Sequence, residues 1–200
     1  MRFSKPIVFI LALCPALWLL FRALTGRLSA NPIEDLTLTT GIWALRLLLV
    51  TLAITPIRRM TGWNGIIRYR RMLGLFAFFY ACIHLSIYLV LDQGLAFRFI
   101  LADIAKRRFI TAGMVAFTCM VPLALTSTKG WIRRLGRKWQ VLHRLIYVSG
   151  FCACLHFVWK VKVVIGEPVY YAAVLAVLLG FRLVWRYRPS RDPRVQPARA

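Results

Sequence analysis

The chain has 200 residues, of which 60% are hydrophobic, and a mean hydropathy of +0.67, more apolar than an ordinary soluble domain of that length. Its formal net charge of +22 would suggest a nucleic-acid partner in a soluble protein, but here the Lys and Arg residues stand between long apolar runs rather than among them. That pattern belongs to membrane topology, so nucleic acid is excluded and lipid is the expected solvent.

Six apolar runs approach the roughly 20 residues that a helix needs to cross hydrocarbon: Ile7 to Leu24, Gly41 to Ile57, Met72 to Leu91, Phe109 to Leu125, Val141 to Val158 and Val169 to Val184. The first contains Pro15 and lacks a small-residue cleavage pattern before Ser29-Ala30-Asn31-Pro32, so it reads as a retained helix. The second and fourth are near the short limit. The expected fold class is an all-α membrane protein, a six-helix transmembrane bundle over residues 1–188, with a basic tail, 189–200, that should be disordered.

Between the second and third runs, Arg58 to Arg71 mixes cations with Trp63 and Tyr69. It suits an interfacial anchor on acidic lipid headgroups, or a seat for an anionic ligand. If the N-terminus is cytoplasmic, the inner segments carry 18 of the 28 Lys and Arg and the outer segments 8, which puts both termini inside. The run Lys106-Arg107-Arg108 is the external cluster that departs from this pattern. Five cysteines (Cys14, Cys82, Cys119, Cys152, Cys154) fall within apolar runs, where they pack as small hydrophobes and no disulfide is expected. The chain has neither GxGxxG nor GxxxxGK[ST], so any electrons it handles must come from a separate donor.

Three histidines occur, His84, His143 and His156, all in or at the edge of predicted spans, where ionisable groups are rare and functional. Measured from the inner end of each span at 1.5 Å per residue, His84 lies about 18 Å up the third and His156 about 22 Å up the fifth, while His143 is only ~3 Å up. His84 and His156 are therefore level, and two facing imidazoles at one level are what six-coordinate haem iron requires. His143 sits too low to join them. Thirteen residues at about 100° each leave the two side chains roughly 140° apart around an ideal helix, so placing His143 and His156 on one face calls for a distortion, for which Ser149-Gly150 is the candidate. No histidine stands level with His143 on the third span.

Asn31-Pro32-Ile33-Glu34, Thr39-Thr40-Gly41, Ile54-Thr55-Pro56, Arg70-Arg71-Met72-Leu73-Gly74-Leu75, Tyr80 with His84, Leu123-Ala124-Leu125-Thr126-Ser127, and Trp139-Gln140-Val141-Leu142-His143-Arg144 with His156 closely resemble the MsrQ (YedZ) family. That family supplies the haem-binding membrane subunit of the bacterial periplasmic methionine sulfoxide reductase system, and is related to the transmembrane part of ferric reductases and NADPH oxidases. The resemblance runs from about Asn31 to Trp185. It implies a multi-pass inner-membrane subunit with haem b (one or two) and FMN, not itself the catalytic enzyme. Such a subunit passes electrons from the quinone pool or a cytosolic flavin reductase to a periplasmic molybdopterin-containing reductase that repairs methionine sulfoxide. The haem-iron ligands carried over are His84 and His156 as a pair, and His143. A guanidinium suits a propionate or phosphate, or else snorkels to headgroups; Arg144, Arg46 and Arg71 are the candidates. Trp139 and Tyr147 bracket His143 in the manner of an aromatic belt. Two other functions fit the same residues: an autonomous transmembrane ferric or quinone reductase, and a transporter whose histidines relay protons.

Overall fold

The computed structural model describes residues 4–161 and 166–187; the tail expected to be disordered, 189–200, lies outside the described residues. The described residues form helices and no strand. Six helical stretches are long and apolar enough to cross a membrane: Lys5–Leu24, Pro32–Thr61, Asn64–Asp92, Arg108–Leu125, Arg137–Lys160 and Glu167–Tyr187. The six predicted spans are thus present, with longer ends.

Helix α1 is Ser4–Leu24 and α2 is Pro32–Thr61. The second begins nine residues before the apolar run at Gly41 because its first turn has strong start chemistry. Asn31 caps the Glu34 N–H, Pro32 takes the first helical position, and Glu34 and Asp35 face the positive end of the dipole. It stops at Gly62, whose φ of 70° is the left-handed conformation of a helix C-cap and whose N–H reaches the Arg58 carbonyl. After a 3₁₀ turn at Asn64–Tyr69, α3 runs Arg70–Ser86 and continues as a π-helical turn, Ile87–Asp92. A short helix, α4 (Phe97–Lys106), precedes α5 (Arg108–Leu125). Two basic short helices follow, α6 (Lys129–Leu135) and α7 (Arg137–Leu142), then α8 (Leu145–Lys160) and α9 (Glu167–Tyr187).

The core of the bundle is two antiparallel pairs, α2 with α3 and α5 with α8, joined by α3 packing on α5, with α9 against α8 and α2. Leu48, Leu52 and Ile54 of α2, Ala77 and Tyr80 of α3, and Leu175 of α9 are almost wholly enclosed. Small and polar groups let the helices approach, as lipid-embedded packing requires. Ser149 of α8 is fully buried and donates to the Ala116 carbonyl of α5 at 3.0 Å. Helix α1 is tied on from outside. Pro15 disrupts its hydrogen-bond ladder, and the Tyr80 hydroxyl bridges the gap, accepting from the Ala16 N–H and donating to the Ala12 carbonyl, both at 2.9 Å.

The fifth span breaks at His143-Arg144, between α7 and α8. The distortion expected at Ser149-Gly150 is therefore elsewhere. Helix α8 runs straight through Ser149 and Gly150 because both are packed tightly, the first on Ala116 and the second close to Leu52 and Leu175.

Candidate functional site

A cavity of about 480 Å³, within the range of roughly 300–1,000 Å³ usual for cofactor pockets, lies between the pairs α2–α3 and α5–α8. It is walled by Leu45, Leu48, Phe117 and Met120. Its polar end, where α2 and α5 begin and α3 and α8 end, carries Asn31, Glu34, Tyr88, Asp92, Arg107 and Lys160.

His84 and His156 enter this cavity from opposite sides. Their ring centroids are 6.0 Å apart with planes at 86°. Two imidazoles sharing one metal stand roughly 6 Å apart between centres, since each contributes a metal–nitrogen bond of about 2 Å plus ~1 Å to the ring centre. The spacing therefore fits a single six-coordinate iron.

Each ring is also held in one tautomer. The His84 Nδ1 lies 2.9 Å from the Thr37 carbonyl and the His156 Nδ1 lies 2.6 Å from the Phe109 carbonyl. A carbonyl only accepts, so each Nδ1 carries the proton and each Nε2 keeps its lone pair. Backbone acceptors of this kind orient metal-ligating imidazoles and make them more basic. Among the described residues no group of three His, Cys, Asp or Glu is placed to hold a metal ion, and the cysteines are free. The pair of imidazoles is the donor set that the cavity offers to a metal.

His143 lies at the other end of the bundle, in the turn before α8. Its ring stacks on Trp139 at 3.8 Å between centroids, and its Nδ1 lies 3.1 Å from the Trp139 carbonyl. Trp139 in turn donates to the Thr126 carbonyl at 3.0 Å. None of Arg46, Arg71 and Arg144 lines the cavity. Arg46 is mid-helix in α2; its Nε donates to the Tyr171 hydroxyl at 2.7 Å and its guanidinium lies over Trp43. Arg71 and Arg144 are exposed at the His143 end.

Sequence reasoning missed the two cations that do line the cavity, Arg107 and Lys160. Arg107 pairs with Asp103 at 2.7 Å, and the Lys160 ammonium sits 5.8 Å from the Phe109 ring centre. The signal was available: Arg107 belongs to the one external cluster that the charge pattern left unexplained. It also missed Arg182, which donates to the Tyr147 hydroxyl at 2.6 Å and the Leu52 carbonyl at 2.7 Å, joining α9 to α8 and α2.

Residues 40–154 match the family described as ferric reductase like transmembrane component. The chain is 50% identical, over 96% of its length and 90% of the relative's, to the protein-methionine-sulfoxide reductase heme-binding subunit MsrQ of Ralstonia nicotianae. It is 49% identical to the protein of that name from Xanthomonas axonopodis, over 94% and 89% of the two chains. The corresponding protein of Brucella ovis is 47% identical over 92% and 83%. No solved structure matches the chain.

Proposed function

The chain belongs to the MsrQ family of ferric reductase-like transmembrane proteins, and from that premise we propose that it is a membrane b-type cytochrome subunit of a methionine sulfoxide reductase system. The observation that carries this is the facing pair His84 and His156, 6.0 Å apart across an apolar cavity with both Nδ1 atoms on backbone carbonyls. Haem bound there supplies a one-electron redox centre. The chain's own part is to present two neutral imidazoles, to wall the cavity with Leu, Met and Phe side chains, and to place cations at its polar end. Arg107 and Lys160 are the residues suited to haem carboxylates there.

With both termini cytoplasmic in the bacterial inner membrane, the polar end of the cavity faces the periplasm. The acceptor on that side is a separate molybdopterin-containing subunit that reduces methionine sulfoxide in proteins. The donor is the quinone pool or a cytosolic flavin reductase. FMN is the second cofactor of this reading, and His143 serves the cytoplasmic entry of electrons.

The test is a pyridine haemochrome and acid-released flavin assay on the detergent-purified chain, with dithionite-reduced spectra. The expected result is haem b with a sharp reduced α band of a six-coordinate, low-spin species. Protein free of haem would overturn the cytochrome reading and leave a proton-relay transporter as the better account of the histidines.

A further inference from the structure

The two halves of the cavity carry the same arrangement. His84 and Thr37 are 47 residues apart, and so are His156 and Phe109. Adding 72 to 41, 44, 81 and 84 gives 113, 116, 153 and 156, and the residue types repeat: Gly41 and Gly113, Ala44 and Ala116, Ala81 and Ala153, His84 and His156. All eight line the cavity. The pairs α2–α3 and α5–α8 therefore bring the same residue types to the cavity at the same sequence register.

We infer that Gly41 and Gly113 are matched positioning residues, each serving as the flat seat against which one ligand imidazole is fixed between its backbone carbonyl and the metal. This rests on the haem reading above. The reason is steric. A Cβ on Gly41 would lie 3.0 Å from Cε1 and Nδ1 of His84, and one on Gly113 would lie 2.8 Å from Nδ1 and 3.2 Å from Cε1 of His156. The carbonyl that accepts the Nδ1–H belongs in each case to the residue four before the glycine, one helical turn away. A methyl group at the glycine and the hydrogen bond to that carbonyl compete for one position of the ring. Helix propensity argues the other way, since Gly inside a helix is less favourable than Ala. The glycines sit where the helix alone would prefer alanine, which the ring contact explains.

The experiment compares Gly41→Ala and Gly113→Ala with Gly180→Ala in the full, haem-loaded chain. Gly180 is the control, because a Cβ there meets nothing within 4 Å. Three readouts are taken: CO binding by the ferrous protein, the low-spin electron paramagnetic resonance signal, and the midpoint potential. With both axial positions filled, CO does not bind. Displacing a ring opens a position, so CO binding appears in Gly113→Ala and, more weakly, in Gly41→Ala. Weakening the Nδ1–H bond lowers ligand basicity, so the potential moves upward in both variants. Added imidazole, which carries no tether, restores CO inertness. Gly180→Ala behaves as the parent chain.

Haem-loaded Gly41→Ala and Gly113→Ala with parental CO inertness, resonance signal and potential would overturn the positioning role while leaving the cytochrome reading intact. A change confined to one of the two would overturn their equivalence. Collapse of both to unfolded protein, with Gly180→Ala intact, would also overturn the proposal, since a positioning role requires that the bundle still assemble. A parent chain without haem sinks the underlying reading instead.

Discussion

Each imidazole in the cavity has one nitrogen to offer, because the other is committed to a main-chain carbonyl that no side-chain substitution removes. The two are equivalent in this respect, and their ring centres stand at the separation that one iron would span in the proposed function. His84→Ala and His156→Ala should therefore each remove the same low-spin haem, since either leaves a single axial bond and a poorly held group. Pyridine haemochrome and reduced spectra of the two purified variants check this; retention of a different haem in each would refute the pairing. Arg46 illustrates the opposite outcome for a residue that composition alone favours as an anion contact. A guanidinium in hydrocarbon must find partners, and Arg46 finds the Tyr171 hydroxyl and the Trp43 ring instead of the cavity.

At the scale of helices, the bundle is held by polar bridges at sites where a helix has lost one of its own hydrogen bonds or must approach another closely. The Tyr80 hydroxyl inside the broken ladder of α1 is the clearest case. Tyr80→Phe leaves the Ala16 N–H and the Ala12 carbonyl without that partner next to Pro15, and should cost about 1–2 kcal/mol, the scale of interhelical hydrogen bonds in membranes. A lowered melting temperature in detergent with haem content unchanged is the expected result. An unaltered melt would mean that α1 is held by apolar packing alone. Ser149→Val is the matching test between α5 and α8. It removes the donor to the Ala116 carbonyl and adds a methyl group at a position with no exposed surface, so overpacking of about 1–3 kcal/mol adds to the lost bond. Here both stability and haem retention should fall, because Ala116 also lines the cavity.

For the whole molecule, the histidines are divided between the two ends of the bundle, which in the proposed function separates holding haem from admitting electrons. His143 stacks on Trp139 in the turn between α7 and α8, remote in the fold from the paired rings. In the proposed orientation it lies on the cytoplasmic side. His143→Ala should preserve the spectrum of the haem at His84 and His156 yet slow its reduction by a quinol or a flavin reductase, while dithionite still reduces it. Stopped-flow reduction with each donor provides the measurement. Unchanged donor-driven rates in a stably folded variant would assign His143 to structure, as its stack on Trp139 also permits.

By itself the sequence determined the membrane class, the number of crossing helices and the two levels of histidine. Apolar run length, the spacing of basic residues and the 1.5 Å rise per residue are local quantities, and they survive any arrangement of the helices around one another. The cap residues of α2, Asn31-Pro32 and Gly62, stand in the sequence, but the apolar run from Gly41 to Ile57 concealed both ends. Tertiary structure decided the rest. Only the packing of α2 on α3 and α5 on α8 shows that Gly41 and Gly113 meet the rings of His84 and His156, although the repeat of 72 residues was readable beforehand as two Gly-x-x-Ala and two Ala-x-x-His segments. Only the fold sends Arg46 to Tyr171 and brings Arg107 and Lys160 to the cavity, because a long side chain takes whichever partner the neighbouring helices supply. The break in the fifth span likewise falls at His143-Arg144 and not at Ser149-Gly150, since close contacts from α2, α5 and α9 hold those two small residues within a continuous helix.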